Sequence, residues 1–209
     1  LLVMAMIALL IARRVIPFFA NRAVQGLAIP MQTRIGQVQL AGCLGAVVFV
    51  LAGWRIPLAA ALGLAGALSL VQVVRWKPIA VRGNPLLWIL YAGYTGLGIG
   101  LLTAACAAAG IRHVPPALPV HMIAMAGFSV LIIGMLTRTA MGHLGLPLAV
   151  DRSILCGYVL MLVAVALRLA ALAPSAYSVL ALQLSAAAWI AVFALYIWRF
   201  GPLMIRPRI

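Results

Sequence analysis

Acidic side chains are almost missing from this sequence. Among 209 residues there is one, Asp151, against 15 lysines and arginines. That scarcity excludes paired-carboxylate chemistry within the chain. Charge of either sign is also rare, at 8%, where soluble domains carry about 25%. Cysteines number three, Cys43, Cys106 and Cys156, each inside an apolar run and with no C-x-x-C spacing. This pattern argues against a disulfide framework or a zinc site, and the three read as small packing residues. Phosphate-cradling P-loops, G-x-S-x-G elbows and G-x-G-x-x-G turns are absent as well.

Apolar residues are abundant. They make up 67% of the chain, against about 45–50% in soluble domains. The mean hydropathy is +1.23. A soluble globular domain and a disordered chain are both excluded. The net charge of +14 invites a nucleic-acid partner. The arginines, however, stand singly or in pairs between apolar runs and build no basic face, so no nucleic acid is expected. The bilayer is the expected partner.

Seven apolar segments follow one another. They run from Leu1 to about Ala12 (with a continuation toward Phe19), Gly36 to Gly53, Ile56 to Val74, Pro85 to Ala109, Leu118 to Met141, Ser153 to Ala173, and Ser175 to Trp198. In lipid the backbone must satisfy its own hydrogen bonds, so runs of this length predict α-helices. The short alternating segments of a β-barrel are lacking. The fold class is therefore all-α, a polytopic transmembrane helical bundle, with residues 1–209 as one domain. The chain opens at Leu1 inside an apolar run, which predicts a piece of a longer protein.

The cations support this topology. Counted before segment two, between successive segments and after segment seven, they alternate 4, 1, 3, 1, 2, 1, 3. One side collects 12 and the other 3. The positive-inside rule makes the richer side cytoplasmic and places the C-terminus there. Small residues at close spacing, Ala59, Gly63 and Ala67 on segment three and Gly93, Gly96 and Gly100 on segment four, predict close helix packing. Trp88, Tyr91 and Tyr94 recur every three residues, as a packing stripe or as a cofactor wall.

Few residues remain to carry chemistry. Asp151 reads as the N-cap of segment six or as a local ion pair with Arg152. His113 is a loop residue. His121 lies one turn into segment five, and His143 at the other end of that helix. Each reads as a polar end group or as a metal ligand. They are 22 residues apart, roughly 33 Å along a continuous helix, so they cannot share one metal. Arg138 and Arg14 read as membrane anchors or as partners for an acidic cofactor group.

These stretches carry a family resemblance. Arg14-Val15-Ile16-Pro17-Phe18-Phe19 resembles the R-x-I-P-F-F motif of the NnrS family. His121-Met122-Ile123, Gly134 to Arg138, and Gly142-His143-Leu144-Gly145-Leu146-Pro147-Leu148 resemble its H-A-L, M-T-R and L-G-H-T-G-R-P-L motifs. The stretch Leu86–Leu102 is similar to the corresponding family helix. Ala20 stands where the family often has Thr. Leu144 and Leu146 replace the usual Thr and Arg, the latter a lost anion contact.

The resemblance implies a membrane protein of about twelve helices in the bacterial inner membrane, with haem of b type and copper. The implied role lies in nitric oxide metabolism or protection against nitrosative stress. This chain would be the C-terminal seven helices, and a further His-Glu motif would lie upstream. By the matching motif, His121 would give an axial imidazole. Arg138 and Arg14 would neutralise propionates, and His143 would be a second metal ligand. Two other functions fit the composition: a cofactor-free transporter or permease, and a scaffold or assembly subunit packed against a membrane protein partner.

Overall fold

The computed structural model describes residues 1–205. Arg206 and Arg208, both counted among the C-terminal cations, lie outside the described residues. Seven helices are long and apolar enough to cross a membrane. They are α1 (Leu2–Ala23), α2 (Thr33–Leu51), α3 (Arg55–Arg75), α4 (Pro85–Ala108), α5 (Leu118–His143), α6 (Arg152–Ala170) and α7 (Ser178–Met204). Among the described residues there is no strand.

Helices start where the sequence supplies a cap. The Asn84 side chain accepts from Leu86 N–H at 3.1 Å, with Pro85 in the first position of α4. Asp151 accepts from Ile154 N–H at 2.9 Å to open α6. Both satisfy a donor that the first helical turn leaves without a partner. α5 stops at a glycine. Gly145 has φ +67°, and Leu146 N–H returns to the Met141 carbonyl at 2.9 Å. This left-handed stop explains why a glycine stands two residues after His143. The α1–α2 connection is clamped by Asn21, which accepts from Ile29 N–H at 2.9 Å and donates to its carbonyl at 3.1 Å.

One span is longer than its apolar run. α1 continues past Ala12 to Ala23, so Arg13 and Arg14 lie within the helix rather than after it. Arginine is a good helix former; Arg14 is exposed, whereas Arg13 turns its guanidinium inward across Gly36 of α2. The other six spans fall within a few residues of the segments expected, except that α7 runs on to Met204.

α4 and α5 form the centre. In their most apolar stretches 67% and 56% of residues are buried, against 17% in α7. Glycines make that contact. A Cβ on Gly96 would overlap the Ala126 carbonyl, and one on Gly100 would crowd Ile123. The facing part of α5, Met122–Ser129, is wound as a π-helix. Its Ser129 hydroxyl donates to the Ala124 carbonyl at 3.2 Å and accepts from Trp189 Nε1 at 3.1 Å. On α3 the close approach falls elsewhere than Ala67, which is exposed. Gly66 meets the Gly98 carbonyl, and Gly63 faces Ala105.

Candidate functional site

The ends of α1 and α5 meet at one corner of the bundle. There the Arg138 guanidinium lies over the Phe19 ring, 3.8 Å from its centroid. Arg138 is only 7% exposed. Among the described residues it has no hydrogen bond and no ion pair; the Phe19 face is its stacking partner, and Tyr158 is an electrostatic neighbour. Cation–π attraction offsets part of the cost of burying a charge but does not replace an anion. A groove of about 570 Å³ opens beside it, lined also by Phe18, Phe19, Arg22 and His143. Arg22 in turn lies over Phe18 at 4.7 Å. A second groove of about 470 Å³, against Tyr196 and Met204, shares His143 and Thr139 with the first. The helical register of α5 brings Arg138, Thr139, Gly142 and His143 to one wall, since Gly142 lies four positions from Arg138 and three from Thr139, and His143 four from Thr139.

The structure distributes the residues singled out from sequence. Arg138 and His143 come together at the groove, joined by the two phenylalanines of the Arg14–Phe19 motif. Arg14 does not join them. It lines a small separate gap with Arg13, Gln32, Gln72 and Trp76.

His121 lies at the opposite end of α5, where its Nδ1 accepts from Arg168 Nε at 3.3 Å. With Nδ1 as acceptor, a neutral ring carries its proton on Nε2. Metal ligation through Nε2 would therefore require this contact to break. Asp151 pairs with Arg199 at 3.1 Å, across 48 positions, rather than with its neighbour Arg152. Burial alone would raise its carboxyl. The Ser153 hydroxyl, Ile154 N–H and Arg199 outweigh that and hold it below the usual carboxylate range. No cluster of three His, Cys, Asp or Glu side chains able to hold a metal exists among the described residues.

Sequence reasoning missed a polar cluster inside the bundle. Gln39 Nε2 donates to Ser69 Oγ at 2.7 Å and to the Tyr94 hydroxyl at 3.0 Å. Tyr94 donates to Gln72 Oε1. Gln39, Ser69, Gln72 and Tyr94 are all buried. Trp76 packs on Tyr94 with centroids 4.8 Å apart, and its carbonyl accepts from Tyr91 OH at 3.0 Å. Isolated amides and hydroxyls within apolar spans were the available signal, because lipid cannot satisfy them.

The family model described as NnrS protein matches residues 1–208. No curated protein and no solved structure matches the chain.

Proposed function

We propose that this chain, which belongs to the NnrS family, forms a haem site of the nitric oxide response at the groove between α1 and α5. The carrying observation is Arg138, a buried guanidinium with an aromatic partner and, among the described residues, no anion. The one acidic side chain of the sequence, Asp151, is engaged by Arg199. An anion for Arg138 must therefore come from a bound group or from another chain segment. A carboxylate on a flat apolar cofactor suits the donors present. Arg138 and Arg22 would take the carboxylates, and Phe18 and Phe19 would flank the ring. The groove, at about 570 Å³, lies within the range of roughly 300–1,000 Å³ usual for small-molecule sites.

His143 is the imidazole nearest those cations and would be this chain's ligand at that end. When bound, such a group supplies reversible one-electron chemistry and a metal able to bind a diatomic molecule. The residues here would hold its carboxylates, shield its face and present an imidazole. His121 is the candidate ligand of a second site at the far end of α5, on exchanging Arg168 for metal. Copper would require donors beyond these two histidines. The membrane would be the bacterial inner membrane, with the His143 end and the C-terminus cytoplasmic, as the cation count supports.

The test is the visible spectrum of the membrane-extracted protein, oxidised and reduced, after expression with ample haem. The expected result is a Soret band that Arg138→Gln weakens and His143→Ala shifts, with His121→Ala leaving it in place. Added nitric oxide then reports an open metal position. A parent without a Soret band overturns the haem site and favours a cofactor-free transporter or scaffold. Loss of the band only in His121→Ala moves the site to the other end of α5.

A further inference from the structure

We propose that the gap beside Arg13 binds a small inorganic anion of halide size, at a site separate from the α1–α5 groove. Arg13 stands mid-way along α1, and its guanidinium lies across Gly36 at the start of α2. A Cβ at that position would overlap Arg13 Nη1, so only glycine leaves the path open. Arg13 Nε is buried and has no hydrogen-bond partner. Among the described residues Arg13 makes no ion pair. The sequence holds one acidic side chain, and Arg199 occupies it at 3.1 Å. A guanidinium within a membrane span, with no carboxylate to meet it, calls for a diffusible counter-ion.

The surroundings fit such an ion. Arg14 adds a second cation, and Gln32, Gln72 and Trp76 complete the lining. Gln72 has its oxygen committed to the Tyr94 hydroxyl, which leaves its NH₂ as the group able to donate. The Gln32 carboxamide oxygen is buried and unpartnered. A half-turn of that amide exchanges oxygen for NH₂, so an anion would be met by a donor there too. The space is about 30 Å³. A water-sized particle needs about 10–15 Å³ on this measure. One halide-sized ion fits; a lipid headgroup or a carboxylate-bearing cofactor does not.

Thermal unfolding of the purified chain in sodium chloride and in sodium gluconate at equal ionic strength tests the site. Gluconate is too large for the gap, and matching ionic strength cancels general screening. Chloride is expected to raise the midpoint by about 2–4 °C over gluconate, as binding to the folded state alone requires. Arg13→Gln is expected to abolish that difference. In gluconate this variant is expected to unfold no earlier than the parent, because the lost charge had no partner. Gly36→Ala, which displaces the guanidinium, is expected to shrink the chloride effect. Bromide soaked into crystals is expected to give anomalous density in the gap. Equal midpoints for the parent in both salts would overturn the site. An undiminished chloride effect in Arg13→Gln, or water without bromide signal in the gap, would do the same.

Discussion

Each end of α5 carries a histidine in an apolar stretch, with an arginine close by. At one end the chain completes the pair itself: Arg168 reaches from α6 and donates to His121 Nδ1. At the other end Arg138 is buried against Phe19, next to His143, and no acidic side chain meets it. Residue types are nearly the same at the two ends, and the chemistry available differs. A guanidinium donating to a neutral ring is self-contained. A guanidinium stacked on an aromatic ring still lacks a counter-charge, and it lies beside a groove of about 570 Å³. Both ends live under the same scarcity of acid, and the second opens onto a groove where a ligand could supply it.

Substitutions at the two ends sharpen this contrast most. Arg138→Gln removes a charge-assisted contact worth about 1.5–3 kcal/mol, so affinity for an anionic tetrapyrrole should fall roughly ten- to a hundredfold. His121→Ala should leave it within about twofold. Titration of purified protein with haem, followed at the Soret band, measures both. Equal losses in the two variants would erase the distinction between the ends.

Between the ends, the α4–α5 seam holds both in place. Gly96→Ala forces a methyl onto the Ala126 carbonyl, and overpacking of this kind costs about 1–3 kcal/mol. Thermal unfolding should report the whole loss, and the His121 and His143 ends should be disturbed together. An unchanged midpoint would show that the π-helical stretch yields easily.

Tyr94→Phe tests the cluster that joins α2, α3 and α4. It deprives Gln39 of one hydrogen-bond partner and Gln72 of its donor, which costs about 1–2 kcal/mol for buried groups. Denaturant unfolding should show that loss, with haem titration unaffected. A change in haem affinity would couple the cluster to the groove.

The smallest effect belongs to Asp151. Its carboxyl is held below the ordinary range by hydrogen bonds and Arg199. Its stabilising contribution is therefore full above the unfolded-state pKa and is lost as pH falls through the lower folded-state value. Asp151→Asn keeps a competent N-cap and loses the ion pair. An exposed pair is worth at most about 1 kcal/mol. Stability profiles of parent and variant should converge on acidification. A gap that widens at low pH would contradict the pairing with Arg199.

The sequence alone determined the number and approximate bounds of the spans. Long apolar runs in lipid have no alternative to the helix, because every backbone group must be satisfied within its own segment. Asp151 as a cap and the close packing of α4 were legible for similar local reasons: one is a first-turn hydrogen bond, the other a spacing of glycines. The family motifs marked Arg138 and His143 as residues to follow.

What the sequence could not supply were pairings between distant positions. Phe19 under Arg138, Arg168 on His121, Arg199 on Asp151 and Tyr94 between Gln39 and Gln72 each join different helices. Which faces meet depends on how seven spans pack together, and apolar periodicity is weak where lipid and protein interior are equally apolar. Likewise the continuation of α1 past Arg13 and Arg14 toward Phe19 was legible, but its end at Ala23 and the placement of that pair's charges were not. Tertiary structure decided that one arginine of that pair would cross Gly36 into a gap, and that Arg138 would be buried without an acid. A local code can place a charge on a helix; only the packing of other helices around it determines whether the chain provides its partner.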